Sequence, residues 1–194
     1  MFALRWIPAV VLLSSWLLLG ATSAAGAAPH GGAGNVTVSG HVGPLRLHRS
    51  TRADVIAFAG APDSEQKATI YNVDELGYDC STLYGQPDCK TTFYISLSSG
   101  KLIEFSTASE SYTALGRIHI GTSTRRAEQV AHTRATSGCL DAIYDLNPRA
   151  KIMFTLMIEG GHGTPGGVNT ASHVVGGHVV EIVLDGGSGA IDCA

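Results

Sequence analysis

Apolar and polar side chains alternate along two neighbouring segments of the chain, residues 91–97 and 101–107. The apolar positions are Phe93, Ile95, Leu97, Ile103 and Phe105, and the opposite positions are Tyr94, Ser96, Leu102, Glu104 and Ser106. A period of two predicts strands, and Ser98-Ser99-Gly100 between the segments predicts a hairpin turn. One apolar face and one mostly polar face indicate a sheet that is covered on one side only.

A second pattern occurs twice: an alternating apolar lead, a Ser-Thr pair and the start of a helix. The copies are LRLHRSTRADVIAFAG at 45–60 and IHIGTSTRRAEQVAH at 118–132. A repeat this long exceeds the usual solenoid periods and predicts a duplicated domain. We therefore expect two tandem α+β units, 45–115 and 116–194. Each should have one or two short helices packed on an antiparallel sheet of about four strands.

The helix of the first copy has recognisable ends. Thr51 can cap its N-terminus with Asp54 three residues later, as in a capping box, and Gly60 and Pro62 should end it. We expect Val55, Ile56 and Phe58 to form its buried side. The second helix, about 125–133, has only small or short apolar residues for this purpose. Strands are predicted at 67–73, 76–80, 140–145, 151–159 and 178–184.

The last two of these strands differ from the earlier pair because they are apolar on both sides. Met153 and Met157 oppose one apolar row, and Val179 and Val183 oppose the other. Contact with the first unit or a covering loop would explain this pattern, and an exposed apolar patch for a partner is the alternative. Residues 160–177 between the strands predict a long Gly-rich loop.

The N-terminus indicates export. Arg5 precedes an apolar run and the small-residue stretch TSAAGAA, which predicts a signal peptide over 1–27, with a retained anchor as the alternative. Residues 28–44 are Gly-rich and predict a flexible segment. Loss of Arg5 leaves 12 basic and 16 acidic side chains, and no basic cluster favours nucleic acid or an anionic membrane. We expect a secreted or extracytoplasmic monomer with no membrane span after cleavage.

Four cysteines in an exported chain indicate two disulfides, for which three pairings are possible. Cys80 and Cys89 enclose STLYGQPD, in which Gly85 and Pro87 favour a tight reversal. This pairing leaves Cys139 with Cys193. No CxxC motif is present to indicate a redox or zinc site.

The segment STRADVIAFAGAP, Ser50 to Pro62, resembles the helix motif of the SmpA/OmlA lipoproteins and of the β-lactamase inhibitory protein. The second copy keeps the helix start and lacks the Gly-x-Pro ending. The resemblance implies tandem units of a helix pair on a four-stranded antiparallel sheet, and an inhibitor-like role. This chain lacks the lipid-accepting N-terminal Cys of those lipoproteins and an aromatic-rich contact face.

The sequence shows no catalytic motif, cofactor fingerprint or metal-binding pattern, so we expect a non-catalytic binding module without a cofactor. The predicted binding residues, Tyr94, Ser96, Glu104 and Ser106, lie on the polar sheet face that would contact a protein or a cell-envelope component of a bacterium. The alternative is a small metal-assisted hydrolase that uses His and acidic groups around the 159–185 loop. Its candidate groups are His162, His173, His178, Glu159, Glu181 and Asp185.

Overall fold

The computed structural model describes residues 32–137, 141–147, 151–164 and 172–187. The two helices of these residues are α1 (Arg52–Ala59) and α2 (Thr124–Ala131). Their strands are β1 (Gly34–Thr37), β2 (His41–Val42), β3 (Leu45–Arg46), β4 (Ser64–Ala68), β5 (Val73–Leu83), β6 (Gln86–Ser96), β7 (Leu102–Thr107), β8 (Tyr112–Ala114), β9 (Thr136–Ser137), β10 (Asp141–Asn147), β11 (Ile152–Thr164) and β12 (Ser172–Asp185).

One antiparallel sheet of eight strands runs through both halves of the chain. Its first half is the meander β4-β5-β6-β7, and β12 then pairs with the free side of β7, with Phe105 opposite Leu184. The two predicted units therefore share one sheet. Because antiparallel neighbours place opposed residues on the same face, Leu76, Phe93, Phe105 and Leu184 form one continuous apolar row across four strands.

The second half of this sheet curls back on itself. β10 pairs with β11, β11 pairs with β12, and short β9 joins β10 to the beginning of β12. These four strands form a closed ring of pairings. The long β11–β12 hairpin extends the predicted strands into the segment predicted to be a Gly-rich loop, since 160–164 and 172–177 lie within strands.

A small second sheet, in the order β3-β2-β1-β8, comes mainly from the N-terminal segment. β1 runs parallel to β8, so that Val36 lies opposite Ala114. Residues 34–44, which the composition predicts to be flexible, form β1, β2 and their turns, and Val36 and Val42 are fully buried. Apolar side chains at these two positions anchor an otherwise glycine-rich segment.

The predicted start of α1 is confirmed. Thr51 accepts a hydrogen bond from the Asp54 amide, and Asp54 accepts one from the Thr51 amide, which completes a capping box. The helix ends at Gly60, whose φ is 88°. Val55 is fully buried, while Ile56 and Phe58 are only partly covered.

The α+β fold class is wrong for the part of the chain that the structure describes. Twelve strands and two eight-residue helices make the protein mostly β, with one helix in each half. In the described residues, neither half has the helix pair on its own four-stranded antiparallel sheet that the family resemblance implies, since the small sheet contains a parallel pair and the large sheet joins both halves. The repeated motif marks only a helix start, so it could not show that strands of both halves join into one sheet.

A bulge corrects the predicted faces of β7. The register with β6 shifts between Tyr94 and Ile95, so that Tyr94 lies opposite Glu104 while Ile95 lies opposite Leu102. Leu102 is consequently buried in the core with Phe105, and Ile103 is displaced from it. An extra residue on one strand reverses the alternation on one side of it, which a strict period of two cannot anticipate.

Candidate functional site

The face of the large sheet opposite the core carries the four predicted binding residues. Tyr94 and Ser106 are half-buried there, whereas Ser96 and Glu104 are buried, Glu104 with 4% of its surface exposed. The exposure expected for Ser96 and Glu104 on a polar, uncovered face is therefore wrong. The Ser96 hydroxyl makes its contacts within the turn that follows β6. It lies 3.0 Å from Ser98 Oγ and accepts a hydrogen bond from the Ser99 amide.

Tyr94 is the centre of a recessed polar cluster on this outer face. Burial, together with the negative charges of Glu104 and Glu75, raises the pKa of the Tyr94 phenol to about 12. The Ser106 hydroxyl acts in the opposite direction and lowers the pKa of both Tyr94 and Glu181. Burial also raises the pKa of Glu75 and of Glu181 above the ordinary carboxyl value. The cluster can offer a phenol proton and carboxylate oxygens to a polar ligand, but its members are partly covered.

The part of the β5–β6 hairpin beyond Tyr78, residues 79–90, contributes to the cover of the Tyr94 cluster; we call it the hairpin arm. The predicted Cys80–Cys89 disulfide is confirmed, and it joins directly opposed residues of β5 and β6. The two sulfur atoms lie close over Gly77, where a Cβ would be 2.5 Å from Cys89 Sγ. Glycine is therefore required at residue 77. Pro87 and Cys89 of the arm line a small cavity of about 100 Å³ together with Glu75. Cys139 and Cys193 lie outside the described residues.

A more accessible surface lies at one end of the sheet, on the β4–β5 and β6–β7 turns. Ile70, Tyr71 and Leu97 are 91%, 74% and 40% exposed; we call these three residues the apical patch. The Leu97 amide donates to the Asn72 carbonyl over 2.8 Å, and Asn72 Nδ2 donates to Ser98 Oγ over 2.9 Å. These bonds hold the two turns beside each other.

The apical patch was not predicted from the sequence, because 67–73 has the composition of a strand. Asn72 is the residue in the sequence that could have indicated a turn here, and in the structure it adopts a φ of 57°. Asparagine tolerates this left-handed conformation better than most residues. An Ile-Tyr-Asn sequence after the polar strand β4 is therefore compatible with a turn that exposes its apolar residues. Leu97, predicted on the apolar face, lies beyond the end of β6.

The structure separates the residues of the alternative hydrolase site. His173 Nε2 lies 2.8 Å from Glu128 Oε1 on α2, and His178 is opposite Glu159 in the β11–β12 ladder. His162 is opposite Val175, while Glu181 belongs to the Tyr94 cluster. Across the described ranges, no three His, Cys, Asp or Glu residues are grouped as metal ligands would be.

The disulfide agrees with an extracytoplasmic location, since such bonds persist in oxidising compartments. Among the described residues, none of the helices has the length and apolar composition needed to cross a membrane.

No protein-family model and no curated protein sequence matches this chain. Two solved structures share part of its shape. The first is an extracellular protein containing a SCP domain from Bacillus anthracis, with 11% identity, a TM-score of 0.40, and coverage of 72% of this chain but only 44% of that one. The second is the uncharacterized protein yfeY from Escherichia coli, with 13% identity, a TM-score of 0.45, and coverage of 78% and 99%. These scores carry no functional argument, and the resemblance to the SmpA/OmlA lipoproteins and the β-lactamase inhibitory protein stays a prediction.

Proposed function

We propose that the protein is an extracytoplasmic, non-catalytic binding protein that recognises a protein partner through the apical patch. The observation that carries the proposal is the exposure of three large apolar side chains at one end of the sheet. Contiguous exposed apolar patches on a protein surface mark interaction sites. Tyr71 adds a ring that can bury area while its hydroxyl stays paired.

The turns that carry the patch are ordered by hydrogen bonds before any partner binds. Asn72 bonds to both Leu97 and Ser98, and the Gly100 amide donates to the Ser96 carbonyl over 2.8 Å. A surface that is already ordered loses less conformational entropy on association. This arrangement favours direct docking over folding of a loop upon the partner.

A two-step binding experiment tests the proposal. Immobilised protein should capture a partner from the producing cell's envelope and medium, and the purified partner should then bind in a direct titration. We expect Ile70→Ser combined with Tyr71→Ser to weaken binding at least about tenfold, because a few central side chains dominate interface energy. The matched control is Leu83→Ser with Tyr84→Ser, which alters two exposed apolar residues at the tip of the hairpin arm.

The same titration distinguishes the apical patch from the recessed face. If the partner binds the Tyr94 cluster instead, Tyr94→Ala should weaken the complex while the patch variant binds like the unmodified protein. That outcome, or a partner whose affinity depends only on Leu83 and Tyr84, would contradict the assignment to the apical patch. Turnover of a captured molecule would contradict the non-catalytic part of the proposal.

A further inference from the structure

A groove of about 500 Å³ lies between the turn that follows β3 and the exposed side of α1. Its apolar lining includes Leu45, Ala57 and Phe58, and its polar lining includes Arg46, Arg49 and Asp54. Leu45 is buried and Phe58 is half-buried, whereas both arginines are exposed. The groove therefore combines an apolar floor with two cationic groups at its border. Its size is within the range of small-molecule sites.

The turn that carries the two arginines is fixed by its own hydrogen bonds. The Arg49 and Ser50 amides both donate to the Arg46 carbonyl, over 3.2 and 3.0 Å. The Arg46 amide donates in turn to Ser50 Oγ over 3.0 Å. Leu47, between the arginines, is buried in the core. These contacts fix the backbone on which both guanidinium groups are carried.

The floor of the groove is equally fixed. The Phe58 ring meets Phe93 of the core edge-on, with 6.5 Å between the ring centroids. On another side it lies against the N-terminal segment, where a Cβ at Gly32 would be 2.7 Å from Phe58 Cε1. Phe58 is therefore held in place although part of its surface stays accessible. Such a ring presents apolar area at little cost in side-chain entropy.

Charge is the property that selects the ligand. Within the described ranges, neither the Arg46 nor the Arg49 guanidinium has an ion-pair partner, although the chain as a whole has a formal net charge of −3. Asp54 is the acidic residue of the lining, and its Oδ2 already accepts hydrogen bonds from the Thr51 amide and hydroxyl, at 2.7 and 2.9 Å. Two arginines thus line the groove together with one carboxylate, and that carboxylate is engaged in the capping box of α1.

We propose that this groove binds a small amphiphile that has a carboxylate head group and a short hydrocarbon tail. The planar guanidinium of arginine matches the two oxygens of a carboxylate, and such charge-assisted bonds are among the stronger ones. The tail would cover Phe58 and Ala57, which keep accessible apolar area whose burial is favourable. This site is separate from the apical patch, so it stands or falls independently of the proposed protein partner.

Calorimetric titration of the full chain with decanoate tests the assignment. We expect saturable binding near one ligand per chain, and weaker binding as the salt concentration rises, because exposed charges are screened. Decyltrimethylammonium has the same tail with the opposite charge, and acetate has the head group without the tail. Both should bind at least about tenfold more weakly than decanoate, since each loses one of the two interactions.

Two sets of variants locate the site. Arg46→Gln with Arg49→Gln should reduce the decanoate affinity about tenfold or more, and Ala57→Glu should do so independently by adding bulk and negative charge. Arg117→Gln, at another exposed arginine, should change it less than about twofold. If the double variant does not fold, the Ala57→Glu titration still decides. Unchanged affinity in Ala57→Glu, equal binding of decyltrimethylammonium, or no saturable heat would overturn the proposal.

Discussion

The two helices begin with the same letters, Ser-Thr-Arg, yet they are built differently. In α1 the threonine, Thr51, is the N-cap and forms a complete capping box with Asp54. In α2 the serine, Ser123, is the N-cap and makes no side-chain capping bond. The helix therefore starts one residue earlier in the motif. The equivalent threonine, Thr124, becomes the first helical residue and is buried, and its hydroxyl has no hydrogen-bond partner among the described residues.

The difference follows from the third residue after each threonine. Asp54 can return a hydrogen bond to the Thr51 amide, whereas Ala127 in the second copy cannot. The second helix is stabilised by tertiary contacts instead. The Glu128 carboxylate accepts a hydrogen bond from the Ala135 amide, and its Oε1 lies 2.8 Å from Nε2 of His173 on β12. Similar sequence motifs can thus share a helix start while one is stabilised locally and the other by its surroundings.

The largest expected effect concerns the core beneath α1. Phe93 contacts the rings of Phe58, Tyr78 and Phe105. Phe93→Ala should lower the free energy of unfolding by roughly 3–5 kcal/mol, because it removes buried area and leaves a cavity. Denaturant unfolding measures the loss, and hydrogen exchange should increase in α1 more than in α2. Equal increases in both helices would show that they depend on the aromatic cluster to the same degree.

The capping difference predicts a smaller and unequal pair of effects. Thr51→Ala removes a capping box and should cost about 1–2 kcal/mol of unfolding free energy. Ser123→Ala removes no side-chain bond and should stay within about 0.5 kcal/mol of the unmodified protein. Chemical denaturation of both variants provides the comparison. A cost for Ser123→Ala as large as that for Thr51→Ala would remove the proposed distinction between the helices.

Threonine to valine should have opposite signs in the two copies. At residue 124 the change replaces a buried hydroxyl, unpartnered in the part of the chain that the structure describes, with a methyl group, so it should stabilise the protein by about 1 kcal/mol. At residue 51 the same change removes the hydroxyl that accepts the hydrogen bond from the Asp54 amide and caps α1, so it should be destabilising. Thermal unfolding of the two variants tests the pair. Destabilisation by Thr124→Val would indicate that the hydroxyl is needed.

The smallest effect concerns β12, the strand against which α2 packs. Burial raises the pKa of Glu181 in the folded state. The stability that its protonated form contributes is therefore fully present below the unfolded-state pKa and is lost as pH rises through the folded-state pKa. Glu181→Gln should therefore raise the melting temperature at pH 7, by no more than about 2 °C, and leave it unchanged near pH 4. A difference that does not depend on pH would contradict the assigned cause. Thr92→Gln, on the same face without a titrating group, is the control.

Local features of the fold could be predicted from the sequence because they depend on neighbouring residues. Thr51 and Asp54 define the start of α1, and Ser98 to Gly100 define a hairpin turn between β6 and β7. Cys80 and Cys89 are brought together by the short reversal between them. Each of these depends on atoms fewer than ten positions apart. Their physical signals are therefore complete within a short segment.

Features that depend on distant pairing could not be predicted in this way. Nothing in 178–184 indicates that β12 pairs with β7, β9 and β11, and this pairing produces the single sheet. The outer face was predicted to be exposed because alternation does not show the bulge at Tyr94 or the disulfide above Gly77. The sequence therefore indicates that Ser96 and Glu104 are polar positions of the outer face, but it does not indicate that they are buried.

The ring of pairings formed by β9 to β12 has a consequence for association between copies of the chain. A strand whose backbone groups are unpaired along one side can add a strand from another molecule and so start aggregation. Among the described residues, β9 to β12 each have a neighbour on both sides, so β4 is the edge strand of the large sheet. β4 is short and carries Glu65 and Lys67, both exposed. Charged side chains at that position oppose the addition of a strand from a second copy of the chain.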